Sequence, residues 1–186
     1  HRSLLELAQH ATIPVINGLT DLLHPAQVLA DLQTMREHRG SLEGATVAFI
    51  GDGNNVVNSW LNAAALFQLN FRLACPQGYE PDAKILARAQ SLAPGRIRIV
   101  NDPVAAAQGA DVLYTDVWTS MGQEAESQVR RAAFTGYQIN RSLLDVASKD
   151  VLVMHCLPAH RGEEITADVL DGPRSVVLDQ AENRLH

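Results

Sequence analysis

The side chains best suited to chemistry lie between Val151 and Gly162, in the stretch VLVMHCLPAHRG of the 186-residue sequence. Four apolar residues followed shortly by Pro158 predict a buried strand that ends abruptly. In an open parallel sheet, the residues just beyond a strand's carboxyl end line the ligand crevice. We therefore expect Cys156 at a sheet edge, beside two histidines and an arginine that would help its thiol to ionise. The same stretch would also suit a packed strand followed by surface residues.

Two other kinds of site fit this stretch less well. A catalytic zinc ion needs three protein ligands, and His155 and Cys156, as neighbours in a strand, are expected to point to opposite faces. A nucleophilic cysteine–histidine pair needs a third group to orient the histidine, and nothing in the sequence indicates one. We expect neither a metal ion nor a cofactor.

A second polar cluster, GDGNN at residues 51–55, follows a predicted strand. Its two glycines resemble the start of a dinucleotide-binding turn, but Val56 stands where the third glycine belongs. The next strand ends in LACP and lacks the carboxylate that would hold a ribose. A nicotinamide cofactor is therefore not expected. The amides of Asn54 and Asn55 instead suit a carboxylate or amide ligand.

A third pair of polar residues, His24 and Gln27, lies where a helix is expected to begin. Pro25 is tolerated in the first turn of a helix, and apolar residues follow it at helical spacing. Backbone N–H groups and the helix dipole at this end favour an anion or a polarised carbonyl oxygen. His24 could also serve only as an N-terminal cap.

The rest of the chain alternates between apolar runs and amphipathic stretches. Strands are predicted at residues 13–16, 46–50, 71–74, 97–100, 112–114, 151–155 and 175–178. Helices are predicted at residues 1–11, 25–40, 56–69, 82–92, 103–108, 124–134 and 141–147. Such alternation indicates an α/β fold, a parallel Rossmann-like sheet with helices on both faces. It begins after the turn at Arg39-Gly40, which divides the chain into residues 1–39 and 40–186.

Composition excludes several classes of function. A formal net charge of −6 argues against a nucleic-acid binder, which normally carries a basic face. No apolar segment approaches the roughly 18 residues that span a bilayer, so no membrane partner is expected. Two cysteines cannot form a disulfide framework, which favours a reducing, cytoplasmic location. Because the chain starts on His1, we expect a processed chain or a fragment.

Taken together, the motifs resemble those of the transcarbamylase family, most closely its ornithine carbamoyltransferase members. HPxQ is shared across transcarbamylases, whereas DxxxSMG together with HCLP points to ornithine rather than aspartate as the acceptor. Four motifs in the family's order carry the resemblance: HPAQ at 24–27, DVWTSMG at 116–122, HCLP at 155–158 and QAENR at 180–184. The resemblance implies transfer of a carbamoyl group from carbamoyl phosphate to the δ-amine of L-ornithine, giving L-citrulline and phosphate.

The resemblance also assigns roles to individual residues. His24 and Gln27 would hold the carbamoyl group, while Arg184 and the backbone around Cys156 and Leu157 would polarise its carbonyl. Cys156 would also lie beside the attacking amine. The ornithine head group would be held by four residues: Asn55, Asp116, Ser120 and Met121. These residue types suit the chemistry, because an α-ammonium needs an anion and a developing oxyanion needs hydrogen-bond donors.

One part of the family's pattern is missing from the 186 residues. Nothing matches the Ser-x-Arg-Thr-Arg loop that binds phosphate in the family's first domain. The resemblance thus makes residues 1–39 the tail of a carbamoyl-phosphate domain with the interdomain helix, and 40–186 the ornithine-binding domain. We expect this chain alone to be inactive or nearly so, and to expose apolar surface around Leu22, Leu23 and the Val28/Leu32 face. We also expect it to belong to a longer protein that forms a homotrimer or a multiple of a trimer. Two alternatives stay open: a transcarbamylase for putrescine or a modified ornithine, and a non-catalytic amino-acid-binding module.

Overall fold

A five-stranded parallel sheet organises the chain, whose computed structural model describes residues 1–119 and 126–186. Every described pairing is parallel, and the strand order is β3-β2-β1-β4-β5. This order reverses direction between β1 and β4, which creates a crevice at the carboxyl ends of those strands. The strands are β1 (Thr46–Ile50), β2 (Asn70–Ala74), β3 (Ile97–Val100), β4 (Val112–Thr115) and β5 (Leu152–His155).

Helices connect the strands and flank the sheet. The described part of the chain forms α1 (Arg2–His10), α2 (Pro25–Arg39), α3 (Asn55–Phe67), α4 (Ala83–Leu92), α5 (Pro103–Ala107), α6 (Ser127–Ala133), α7 (Arg141–Val146), α8 (Ala167–Leu170) and α9 (Val177–Glu182). Helix α8 was not predicted from the sequence. Apart from α8 and the two runs corrected below, these bounds agree with the sequence prediction to within a few residues. No helix among them is both long and apolar enough to cross a membrane.

The core has two parts, one on each face of the sheet. In β1, Val47 and Phe49 point into the cluster formed with α2, α3 and α4, whereas Ala48 and Ile50 point into the cluster formed with α5, α7 and α8. Side chains alternate between faces along a strand, so a strand buried on both sides must be apolar at every position. The predicted parallel α/β sheet with helices on both faces is therefore confirmed.

The glycines after β1 serve packing. A Cβ atom at Gly53 would lie 2.4 Å from the backbone nitrogen of Pro81, so only glycine fits there. The next residue, Asn54, caps α3 by accepting hydrogen bonds from the N–H groups of Val56 and Val57, at 3.0 and 3.2 Å. The glycine that resembles a dinucleotide fingerprint thus allows a close approach of the loop after β2.

Two predicted strands are absent from the described structure. Residues 13–16 form no strand, and the side chains of Ile13 and Ile16 are 74% and 86% exposed. Ser175 makes only an isolated bridge to Val153, and the following apolar residues begin α9 instead. Short apolar runs do not distinguish a strand from a buried helical turn, which explains both errors.

The predicted apolar face on α2 was also wrong. Val28 and Leu32 are 3% and 5% exposed, because α2 packs against α3 within the first core cluster. Helix α2 is therefore part of the helical layer on this face of the sheet. This packing places the amino end of α2 at the rim of the crevice.

Candidate active site

A cavity of about 610 Å³ opens at the carboxyl ends of β1, β4 and β5. It lies where the strand order reverses, as expected for a ligand site in this type of sheet. Six predicted site residues line it: His24, Asn55, Asp116, Cys156, Leu157 and Arg184. Gln27 lies behind this wall, and the predicted residues Ser120 and Met121 lie outside the described residues. The structure therefore brings residues from four separate motifs to one cavity.

Arg184 provides a positive charge at the cavity wall and contacts both polar residues at the start of α2. Its Nη1 donates to Gln27 Oε1 at 2.6 Å and lies 3.4 Å from His24 Nε2. Burial and the Arg184 charge lower the pKa of His24, so its imidazole is neutral near pH 7. The side chain of His24 does not cap α2. A neutral imidazole and a guanidinium together can hold and polarise a carbonyl oxygen.

Asp116 provides the negative charge and is held in a fixed orientation. Its Oδ2 accepts a hydrogen bond from Asn54 Nδ2 at 2.7 Å, and its Oδ1 accepts one from the N–H of Val117 at 2.8 Å. The carboxylate is only 8% exposed, yet it lines the cavity. A buried, oriented carboxylate of this kind binds an ammonium group well.

Asn55 lines the same cavity, but its amide donor is already engaged. Asn55 Nδ2 donates to the carbonyl of Thr20 at 2.7 Å, which ties the segment before α2 to the start of α3. The neighbouring Asn54 uses both ends of its amide, one to cap α3 and the other to orient Asp116. The two asparagines thus have different tasks, which their adjacency in the sequence did not reveal.

The Cys156 thiol is harder to ionise than the sequence suggested, and that expectation was wrong. Burial, together with the charge and hydrogen bond of Asp116, raises the pKa of Cys156 well above its usual range. Of the expected positive neighbours, Arg161 instead forms an exposed ion pair with Asp171. Cys156 therefore presents a neutral thiol to the cavity.

His155 supports the loop that carries Cys156. Its Nδ1 accepts a hydrogen bond from the N–H of Leu157 at 2.8 Å, and its Nε2 lies 3.1 Å from Glu164 Oε1. Leu157 has a φ of 56°, a left-handed conformation that a leucine adopts only when its surroundings require it. The side chains of His155 and Glu164 are fully buried. This pair therefore holds the HCLP loop in an otherwise unfavourable shape.

The same contacts bear on the zinc hypothesis. Ligand-capable atoms of Asp116, His155 and Cys156 lie within 4.8 Å of one another, so the argument from opposite strand faces was wrong in its geometry. However, both ring nitrogens of His155 have hydrogen-bond partners, to Leu157 and to Glu164. A metal ion here would have to displace one of the contacts that shape the loop.

Comparisons with known proteins agree with this geometry. A family model described as aspartate/ornithine carbamoyltransferase, Asp/Orn binding domain, matches residues 43–186. The chain belongs to the aspartate/ornithine carbamoyltransferase family. A second model of that family, for the carbamoyl-P binding domain, matches residues 1–37.

Individual members of the family are similar over the whole chain. Ornithine carbamoyltransferase from Syntrophus aciditrophicus is 60% identical over 186 residues, which are 100% of this chain and 62% of that protein. The anabolic ornithine carbamoyltransferase of Pseudomonas aeruginosa is 59% identical over 100% of this chain and 60% of its own length. The solved ornithine carbamoyltransferase from Pyrococcus furiosus matches with a TM-score of 0.94 and 50% identity, covering 100% of this chain and 60% of that one. The chain thus spans about 60% of the length of these relatives.

Two supporting residues near the cavity were not assigned roles from the sequence: Glu164 and Gln180. Glu164 is fully buried and accepts a hydrogen bond from the N–H of His160 at 2.5 Å as well as contacting His155. Gln180 Oε1 accepts a hydrogen bond from the N–H of His155 at 2.9 Å. The sequence does carry one signal for Gln180, because this residue is the first of the QAENR motif, which ends at Arg184.

Arg130, in α6, contacts both Trp118 and Asp52. Its guanidinium pairs with Asp52, donates to the carbonyl of Trp118, and lies 4.9 Å from the ring centre of Tyr79. Arg130 and Asp52 are only 5% and 8% exposed. This buried pair therefore attaches the chain on both sides of residues 120–125 to the loop after β1.

The neutral state of Cys156 leads to a chemical prediction. Iodoacetamide at about pH 8 should alkylate Cys156 in the native chain at least about tenfold more slowly than a free thiol, because each pKa unit removes tenfold of the thiolate. Cys75, whose pKa burial raises to about 12, should react slowly as well. Mass spectrometry after digestion separates the two sites, and unfolding in guanidinium provides the control by exposing both. Alkylation of Cys156 at the rate of a free thiol would contradict the assignment.

Proposed function

We propose that this chain forms the acceptor-binding part of an ornithine carbamoyltransferase. In this proposal residues 40–186 bind L-ornithine, and residues 1–39 contain the tail of the carbamoyl-phosphate domain and the helix between the domains. The observation that carries the proposal is that one cavity is lined by Arg184, His24, Asp116 and Cys156 together. Such a cavity suits a zwitterionic amine placed next to a polarised carbonyl.

The acceptor side of the cavity is proposed to bind ornithine through its α-ammonium group. The Asp116 carboxylate supplies the opposite charge, and Asn54 holds it in orientation. Asn55, Ser120 and Met121 are proposed to complete the binding of the head group, on the strength of the family resemblance. Since the thiol of Cys156 stays protonated, it serves as a neutral neighbour of the attacking amine and not as a base or nucleophile.

The carbamoyl side of the cavity is proposed to stabilise charge on oxygen. The neutral δ-amine attacks the carbamoyl carbon, the bond from that carbon to the phosphate oxygen breaks, and the amine releases a proton. A water-poor pocket favours the neutral amine by depressing its pKa. Arg184 and His24 are proposed to stabilise the negative charge that develops on the carbonyl oxygen. Gln27 accepts a hydrogen bond from Arg184 and lies beside this pair. The backbone at Leu157 is proposed to contact the same carbamoyl group.

The 186 residues are proposed to make little citrulline by themselves. The Ser-x-Arg-Thr-Arg pattern that binds phosphate in the family does not occur among them. That this chemistry needs no metal ion or cofactor also stays a prediction. A homotrimeric full-length protein and a cytoplasmic location stay predictions.

The test of this proposal uses the full-length protein that contains these residues. With carbamoyl phosphate and L-ornithine it should form citrulline and phosphate, and putrescine should be a far poorer acceptor because it lacks the carboxylate and α-ammonium. Faster turnover of putrescine, or no turnover of either amine, would overturn the proposal in favour of a different acceptor or a binding module.

Asp116→Asn should raise the ornithine KM by about 10- to 100-fold, because a hydrogen bond to a charged group contributes about 1.5–3 kcal/mol. The KM for carbamoyl phosphate should change little. Asp150→Asn, at an exposed carboxylate outside the cavity, is the matched control and should behave as wild type. An unchanged ornithine KM in Asp116→Asn would remove this carboxylate from the acceptor site.

A further inference from the structure

A carboxylate with no part in the proposed chemistry lies beneath the cavity. Asp31, one turn after Gln27 in α2, is completely buried. Its Oδ1 accepts a hydrogen bond from Gln27 Nε2 at 2.8 Å and another from Gln180 Nε2 at 2.7 Å. One oxygen atom thus joins an amide of α2 to an amide of α9, and Gln180 lies 149 residues after Asp31 in sequence.

The other end of each amide contacts a residue that the site uses, Arg184 or His155. An amide side chain has a donor end and an acceptor end, whereas an ionised carboxylate only accepts hydrogen bonds. Because Asp31 takes both donor ends, both acceptor ends must point away from it. Gln27 Oε1 then accepts from Arg184 Nη1 at 2.6 Å, and Gln180 Oε1 accepts from the N–H of His155 at 2.9 Å.

Turning either amide over would break two contacts at once. An amide oxygen would face the carboxylate of Asp31, and an amide NH₂ group would face the guanidinium of Arg184 or the N–H of His155. A buried polar group that is left without a partner destabilises the folded state. The acceptor oxygen of Asp31 therefore selects a single orientation for Gln27 and for Gln180.

We propose that Asp31 is a positioning residue that orients Gln27 and Gln180, and through them holds Arg184 and the HCLP loop at the cavity. This inference rests on the proposed function of the cavity. Asp31 itself does not line the cavity and touches no substrate. What matters is the acceptor oxygen and not the charge, since an oxygen that carries no proton keeps its lone pairs when the other oxygen is protonated.

Two substitutions at Asp31 separate the acceptor from the charge. Asp31→Asn keeps an oxygen that can accept both amide hydrogens, whereas Asp31→Leu has a similar size and no acceptor. In the full-length protein, Asp31→Asn should keep kcat/KM for carbamoyl phosphate within about threefold of wild type. Asp31→Leu should lower it at least about tenfold, with a smaller change in the ornithine KM. Met35→Leu, a buried and volume-conserving change on the same helix, is the control and should leave kcat/KM unchanged.

Each outcome decides one question. Wild-type activity in a folded Asp31→Leu, or an Asp31→Asn variant as impaired as Asp31→Leu, would overturn the positioning role. Should Asp31→Leu fail to fold, Gln180→Met tests the same contact and should lower kcat/KM at least about tenfold; full activity would overturn the proposal. The wild-type protein is assayed in parallel. An inactive wild type would refute the proposed function itself, whereas an active wild type lets the variants test the positioning role of Asp31.

Discussion

Replacing Arg130 with methionine is expected to destabilise the chain by about 3–5 kcal/mol, because it removes one partner of a buried ion pair. Arg130 and Asp52 are 5% and 8% exposed, so Asp52 would keep its charge without a partner or water. The guanidinium also lies 4.9 Å from the ring centre of Tyr79 and 5.5 Å from that of Phe134. Methionine restores part of that packing but none of the charge.

The loss of unfolding free energy in Arg130→Met should depend on pH. Burial raises the pKa of Asp52, and the Arg130 charge opposes that rise, so removing Arg130 raises the pKa further. A carboxyl whose pKa is raised by folding destabilises the native state above its folded pKa, and the penalty disappears below its unfolded pKa. The difference between wild type and Arg130→Met should therefore shrink as the pH falls towards about 4.

Urea unfolding at about pH 7.5 and about pH 5 measures this effect, and the next residue supplies the control. Arg131 pairs with Glu163 at 2.6 Å, but its side chain is 58% exposed. Exposed pairs contribute about 0–1 kcal/mol, so Arg131→Met should have a small effect at both pH values. Asp52→Asn combined with Arg130→Met should recover part of the stability. Equal losses in the two single arginine variants would show that the buried pair stabilises no more than a surface pair.

The sheet could be predicted from the sequence because its determinants are local. The apolar run at residues 46–50 lies between turn-forming residues, and it is a strand with those bounds. Pro25 and the apolar spacing behind it predicted α2, which begins at that residue. Where local patterns are ambiguous the prediction failed: the apolar residues 175–178 suited a strand or a helical turn, and packing placed Val176 and Val177 in different core clusters.

The residues that line the site could be predicted from the sequence, but the ionisation of Cys156 could not. Strand ends and motifs pointed to Asp116 and Cys156, and both line the cavity. The ionisation of Cys156 was misjudged because its neighbour in space is Asp116, forty positions earlier, and not the basic residues that follow it in sequence. The contact between Asp31 and Gln180 is likewise invisible to local patterns, although the spacing of Asp31 four residues after Gln27 places both on one face of a helix.

The second large expected effect is on the pH dependence of stability, and it comes from the titration of Asp31. Burial raises the pKa of Asp31 from 3.8 to about 7, although hydrogen bonds from Gln27 and Gln180, the Tyr114 hydroxyl and the Arg184 charge all oppose the rise. Between those two pH values the native state binds a proton that the unfolded chain has lost. Native stability from this group therefore falls as the pH rises, and the fall is complete above the folded pKa.

Asp31→Asn removes this titration while it keeps the acceptor oxygen. Relative to wild type, the free energy of unfolding of Asp31→Asn should therefore rise between about pH 4 and about pH 8, by up to about 4 kcal/mol at 1.36 kcal/mol per pKa unit. Urea unfolding curves across this range, measured on both proteins, give the difference directly, because the groups that titrate in both cancel. Asp150→Asn, at an exposed carboxyl, should instead run parallel to wild type. A constant difference between Asp31→Asn and wild type would mean that the buried carboxyl titrates in its ordinary range, whereas a difference that rises up to about pH 7 would confirm that folding raises the pKa of Asp31.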